Sequence, residues 1–192
     1  MAEPQQRDPR IERSMVRVRR AALEELAERG WGGFGIESVA RRSGVAKSTI
    51  YRHWTGKLAL VADALETLVV QPVAEPGASA DSRSRVEELL RHLAGGMRDS
   101  TLSRCLPALI EAAEHDAGVR TLHHGFNDRR RQALVDALAD GVAAGELPAD
   151  VDPEVTALAL AGAVIYRRVM TSRPFDVEEV PTLVASVLGG RR

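Results

Sequence analysis

From Arg10 onward, Ile11, Met15, Val18, Ala22 and Leu26 recur at steps of three and four. That is the period of a helix with one apolar face, and Gly30 closes the run. Trp31 and Phe34 follow in a glycine-rich loop and are expected to plug the core of this N-terminal segment. Two short helices about Gly44 come next. Leu58, Val61, Leu65 and Leu68 then mark a connecting helix whose end is set by Pro72, before a Pro76-Gly-Ala-Ser loop. Further along, Val86, Leu89, Leu90 and Leu93 predict a helix that stops near Gly95-Gly96. Another is expected over about 102–114, with Pro107 in its first turn or making a kink. A longer one over about 118–144 carries Phe126, Leu134, Leu138 and Val142 and ends at Gly145. Asp152-Pro153 supplies an N-cap followed by proline at the first helical position, a strong helix start. The helix it opens has Val155, Leu158, Gly162, Ile165 and Val169 on one face. Asp176 and Glu179 have the spacing of a capping box for a last helix. Pro181 fits poorly inside it, which moves its true start a few residues on. Residues 1–9 are polar, contain Pro4 and Pro9, and are expected to be a disordered arm. No repeat and no low-complexity tract interrupts the pattern. The fold class is all-α.

The stretch Ile36 to Lys57 carries the most chemistry. Ala40, Gly44, Val45 and Ile50 stand where a helix-turn-helix needs a small residue at the crossing, a glycine in the turn and apolar anchors. The second helix, from about Lys47 to Trp54, then turns Lys47, Ser48, Thr49, Tyr51, Arg52 and His53 outward. Such a helix fits the major groove of DNA, with its first residues at base edges and its neighbours on phosphates. Lys47, Thr49 and Arg52 are the candidates for base contacts; Ser48, Tyr51, His53 and Lys57 are those for phosphates. The bland alternative is a solvated helical corner, and for Tyr51 a packing role with only the hydroxyl exposed.

Gly44-Val45-Ala46-Lys47-Ser48-Thr49-Ile50-Tyr51-Arg52-His53-Trp54, followed by Lys57 and Leu60, resembles the DNA-binding head of the TetR-type repressors. The resemblance covers about residues 10–66. Two departures stand out. Gly35 occupies the position where that family usually has a capping Thr or Ser, so a side-chain cap and a phosphate contact are lost there. Glycine remains an acceptable cap, at a cost of a few tenths of a kcal/mol. Leu58 and Ala59 replace a usually acidic pair, which should leave Lys57 freer to meet phosphate. The segment from Gly145 to Glu154, with Ile165-Tyr166-Arg167 and Arg173-Pro174, more weakly resembles the C-terminal half of the same regulators. The resemblance implies an N-terminal three-helix DNA-binding head at 1–57 and a C-terminal helical ligand-binding and dimerisation bundle at 58–192. It also implies that Gly35, Lys47, Ser48, Thr49, Tyr51, Arg52, His53 and Lys57 form the DNA-facing set. A homodimer is expected through the helices at 153–172 and 176–189, whose small residues at 157, 159 and 161–163 allow close approach.

Charge agrees with this picture. The chain of 192 residues has a net charge of −1, but residues 1–60 hold 12 Lys and Arg against 7 Asp and Glu, and the rest holds 14 against 20. A basic head on an acidic body is the footprint of a protein that meets DNA with one end. Arg7, Arg10 and Arg13 could add phosphate or minor-groove contacts from the arm; an unattached tail is the alternative. The single cysteine, Cys105, excludes an intrachain disulfide and any multi-cysteine metal site. The first twenty residues carry six arginines and no apolar run, and the longest apolar stretch, Ala157 to Tyr166, is too short to cross a bilayer. A cytoplasmic location is expected.

The remaining constellations are weak. His53 belongs to the DNA helix; His123 and His124 point about 100° apart on a helix, and His115 lies too far from His123 to share an ion. No metal, no cofactor and no catalytic residue is expected. The Arg129-Arg130-Arg131 run reads as a solvated helix face, with a second nucleic-acid site as the alternative. A ligand cavity is expected within residues 82–145, with Leu89, Leu93, Met97, Leu106, Leu109 and Phe126 as walls. His92, Cys105, Glu111 and His115 would orient a small organic molecule, aliphatic or modestly polar because aromatics are scarce. With these features, the resemblance implies a ligand-responsive repressor that binds a pseudo-palindromic operator as a dimer and is released by a small inducer. Two alternatives from other classes remain: a ligand-independent architectural DNA-binding protein, and an enzyme with an appended DNA-binding head.

Overall fold

The computed structural model of the chain describes residues 9–68, 81–98 and 100–189, and every element among them is helical. In order these are α1 (Pro9–Gly33), α2 (Ile36–Ser43), α3 (Lys47–His53), α4 (Lys57–Glu66), α5 (Ser82–Arg98), α6 (Thr101–His115), α7 (Ala117–Ala143), α8 (Pro153–Met170) and α9 (Val180–Leu188). Two compact units result. The first is residues 1–68 with 105–122, and the second is 69–104 with 123–192. The arm residue Arg7, Pro72 and the Pro76 loop lie outside the described residues; α4 ends at Glu66, capped by Thr67.

In the first unit, α1 packs against α2 and α4, and α2 against α3. Val18, Leu26, Val39, Ile50, Leu60 and Leu65 are fully buried in it. The run of α1 breaks at Gly30, whose φ of 66° leaves helical space before one more turn. Trp31 and Phe34 then fold back as buried, stacked rings with centroids 6.3 Å apart. They close the head as core plugs.

The second unit packs α5 against α8 and α9. Three places in the body bear directly on the sequence reading. First, α5 continues through Gly95-Gly96 to Arg98, because buried Ala94 and Met97 keep its apolar stripe in place beyond the glycines. Second, Pro107 sits in the interior of α6, beyond the first turn. Its missing N–H leaves the Ser103 carbonyl without an intrahelical donor. Arg168 of α8 fills that place: Nη2 donates to Ser103 O at 2.8 Å, and Nε donates to Ser103 Oγ. Third, the capping box forms as expected, with the Asp176 carboxylate accepting the Glu178 amide and Glu179 accepting the Asp176 amide. It opens a 3-10 turn at Val177–Glu179, and α9 starts at Val180 so that Pro181 falls in its first turn, where no N–H is needed. At the start of α8, the Asp152 carboxylate accepts the Val155 amide at 3.0 Å, as the Asp-Pro pair requires. Gly141 of α7 lies against the start of α5: a Cβ there would lie 2.6 Å from Ser82 Cβ.

Candidate nucleic-acid interface

The geometry of α2 and α3 follows from a few positions. Gly35 enters α2 with extended backbone and no side-chain cap, while Gly44 ends it at φ 67°, ψ 24°. A side chain at Gly44 would be strained in that left-handed turn, from which α3 begins at Lys47. Ser43 is buried, and its hydroxyl accepts the Val45 amide at 3.3 Å, holding the turn. Ile50 is the one buried residue of α3 and anchors it to the unit. With the anchor fixed, Lys47, Ser48, Tyr51, Arg52 and His53 are exposed and Thr49 is half-buried. Tyr51 is 47% exposed, so its ring as well as its hydroxyl is available.

The structure adds partners that sequence spacing does not reveal. The Lys47 ammonium pairs with the Glu37 carboxylate of α2 and lies 5.6 Å from the Tyr51 ring centroid. The hydrogen bond from Lys47 is the main cause that holds Glu37 below the ordinary carboxylate range. Lys57, at the start of α4, is half-buried: its ammonium sits 4.3 Å from the centre of the Trp31 ring and 3.4 Å from the Trp31 carbonyl. It is therefore engaged inside the head rather than extended freely from it. The Trp31 indole donates to Asp116 at 3.3 Å, and Asp116 caps α7 through the Gly118 and Val119 amides at 2.9 and 3.1 Å. Those amides, Val119 first, keep the Asp116 carboxyl below its usual range.

Beneath the interface a buried carboxylate, Glu25, receives Ser38 Oγ at 2.9 Å. Arg29 and Arg42 approach it at 3.3 and 3.5 Å. Arg42 also bonds Glu28 through Nη1 at 2.9 Å, so this arginine braces α2 on α1. Of the arm cations, Arg10 and Arg13 are exposed on the first turns of α1.

The candidate ligand residues do not gather in one unit. His92, Met97 and Phe126 belong to the second; Cys105, Leu109, Glu111 and His115 belong to the first. Cys105 is buried with its sulfur 3.3 Å from the Leu23 carbonyl, so the thiol is used in packing. Glu111 and His115 are exposed, Leu109 and Met97 are buried, and His92 is half-buried. Among the described residues no cluster of three or more metal-ligating side chains forms, and no helix is long and apolar enough to cross a membrane.

Comparison with known proteins places this geometry. Residues 18–64 match the family described as bacterial regulatory proteins, tetR family, and residues 78–187 match the tetracyclin repressor-like C-terminal domain. The DNA-binding transcriptional repressor TetR of Mycobacteroides abscessus is 29% identical over 178 residues, 87% of each chain. The crystal structure of the TetR family transcription regulator SCO0332 is 31% identical, with a TM-score of 0.66 over 93% of this chain and 98% of that one. The fold is also that of the Bacillus subtilis regulator FadR in complex with stearoyl-CoA, at a TM-score of 0.71 and 17% identity over 92% and 99% of the two chains.

Proposed function

This chain belongs to the TetR family of DNA-binding transcriptional regulators, and on that footing we propose that it is a ligand-responsive repressor acting as a homodimer. The observation that carries the reading is α3. Seven residues long, it buries Ile50 alone and turns Lys47, Ser48, Tyr51, Arg52 and His53 to solvent. Lys47 and Arg52, with half-buried Thr49, would meet base edges, while Ser48, Tyr51, His53, Lys57 and the Gly35 backbone would meet phosphates.

Dimerisation would use α8 and α9. Val155, Leu158, Tyr166 and Met170 of α8 are 64, 64, 61 and 67% exposed. A lone chain gains nothing from a wet stripe of this kind, and a two-fold mate would cover it. Two heads related by that axis would read a pseudo-palindrome with half-sites about one helical turn apart.

On this reading the DNA-binding head would be residues 1–57 and the ligand-binding and dimerisation body 58–192. The relative from Mycobacteroides abscessus is named a repressor, and FadR holds an acyl-CoA; both support repression relieved by a small molecule. Coupling between ligand and operator is then about 1–3 kcal/mol, roughly a 5–150-fold change in affinity. The protein would act in the cytoplasm by binding, without turnover. Fluorescence anisotropy with the DNA upstream of its own gene tests the reading. Salt-dependent, saturable binding in preference to a scrambled duplex is expected; equal affinity for both duplexes would leave only a non-specific binder.

A further inference from the structure

The acceptor for the Trp31 indole comes from far along the chain. Trp31 and Lys57 lie within residues 1–57, and Asp116 lies well outside them, yet residues 105–122 belong to the same compact unit as α1 to α4. The contact is direct: Trp31 Nε1 donates to Asp116 Oδ2 at 3.3 Å, across 85 positions. Beside it, a Cβ built on Gly118 would lie 2.8 Å from Leu58 Cδ2, so the first turn of α7 also meets the first turn of α4.

The two oxygens of Asp116 have separate roles. Oδ1 accepts the Gly118 and Val119 amides at 2.9 and 3.1 Å and caps α7. Oδ2 accepts the indole. A cap needs one oxygen, and Asn serves there as well as Asp. The second oxygen answers a different need: Trp31 is buried, and a buried indole N–H requires an acceptor. That bond, with the stacking on Phe34, fixes the plane of the Trp31 ring. The ring in turn carries the Lys57 ammonium 4.3 Å from its centre, and the Trp31 carbonyl lies 3.4 Å from the same nitrogen. A lysine on a free stem loses rotamer freedom when it meets a phosphate. One already held over an indole face has given up much of that freedom before DNA arrives.

We propose that Asp116 is a positioning residue for DNA binding: by accepting the Trp31 indole N–H, it fixes the ring that presents the Lys57 ammonium to a phosphate. Asp116 touches no DNA itself and acts through Trp31. The proposal rests on the reading of Lys57 as a phosphate contact, and it adds a residue from outside 1–57 to the determinants of affinity. Attraction between Lys57 and Asp116 works in the same direction, being one of the lesser causes that keep the Asp116 carboxyl below its usual range.

The test uses the full-length chain, a random duplex and the operator, titrated by anisotropy over a series of salt concentrations. Asp116→Asn keeps the α7 cap and replaces the indole acceptor by an amide donor. It should weaken binding to the random duplex about three- to ten-fold, through the ordering that Lys57 must then undergo. It should also flatten the salt dependence as Lys57→Ala does, and have no further effect when added to Lys57→Ala. The indole proton resonance of Trp31 should move upfield while that of Trp54 stays. Trp31→Phe, which leaves an aromatic face under Lys57 but removes the donor, should reproduce the loss of affinity and covers the case in which Asp116→Asn folds poorly. Native affinity in both variants would overturn the proposal. So would weaker binding with an unchanged salt slope, or losses that add to those of Lys57→Ala, since both mark a purely structural role. A salt slope that Lys57→Ala leaves unchanged removes Lys57 from the DNA and the role of Asp116 with it. A phosphate contact is blind to sequence, so the repressor reading is judged separately: a chain that shows these effects on the random duplex but no preference for the operator sinks that reading and leaves the role of Asp116 standing.

Discussion

The indole nitrogen of Trp54 donates to a carboxylate oxygen of Asp63 at 2.9 Å, and the same oxygen receives Arg19 Nε at 2.8 Å. One acceptor on α4 thereby ties the residue that ends α3 to the middle of α1, and so fixes the angle at which α3 is presented. Trp54 is buried and Arg19 is half-buried, with Glu12 bonded to its other side at 3.1 Å. Asp63→Ala should lower the stability of the head by about 1–2 kcal/mol, since a charge-assisted bond is lost at a partly solvated site. Operator affinity should fall while the preferred sequence stays the same. Chemical denaturation followed by Trp fluorescence, together with binding to operator variants, checks both. A relaxed sequence preference would show that Asp63 does more than set the angle.

Truncating Lys47 or Arg52 to Ala should cost about 1–3 kcal/mol in operator binding and relax preference at one base pair in each half-site. On the proposed reading Lys47 would have to leave Glu37 to engage DNA, so Glu37→Gln should raise affinity for random duplex more than for the operator. Anisotropy titrations against both duplexes measure the ratio. An unchanged ratio would place the Glu37–Lys47 pair away from the DNA.

Lys57→Ala should weaken all sequences alike and flatten the salt dependence by about one counter-ion. Because the ammonium also covers the Trp31 ring, the variant should shift Trp fluorescence even without DNA. A fluorescence change with an unaltered salt slope would assign Lys57 to head packing alone.

Leu158→Glu combined with Met170→Glu should give monomers at micromolar concentration and abolish operator binding, leaving helicity intact. Ile165, though on the stripe expected from the sequence, is half-buried and a poorer probe of the dimer face. Sedimentation velocity decides the matter; a dimer that persists would move the interface off α8.

Acidification should destabilise the body through His92. Its pKa is lowered from 6.5 by burial and then by Arg130, so the unfolded chain takes up a proton more readily than the folded one. The stability that neutral His92 supports is present above pH 6.5 and is lost as pH falls toward its folded pKa. Between pH 7.5 and 5.5 the melting temperature of the native protein should drop more than that of His92→Gln. Parallel curves would remove this group from the linkage.

Sequence by itself determined the all-α class, the α2–turn–α3 motif, the face of α3 that meets solvent, and the caps at Asp152 and Asp176. Each is a local matter. Helical periodicity, a glycine that takes positive φ at Gly44, and a carboxylate three residues from the amide it accepts are all written within a few positions. Tertiary structure alone decided which charges are answered. Asp63 meets Arg19 across 44 positions and Trp31 meets Asp116 across 85, while Glu25 is buried between Arg29 and Arg42. It also carried α5 past its two glycines, because burial of Met97 outweighs the weak helix preference of Gly. Three arginines in a row are indistinguishable on paper. Only the rotation of α7 in its packed unit exposes Arg129, gives Arg131 a carboxylate, and turns Arg130 onto Phe126 without one among the described residues, because desolvation is a property of the neighbours in space rather than of the residue.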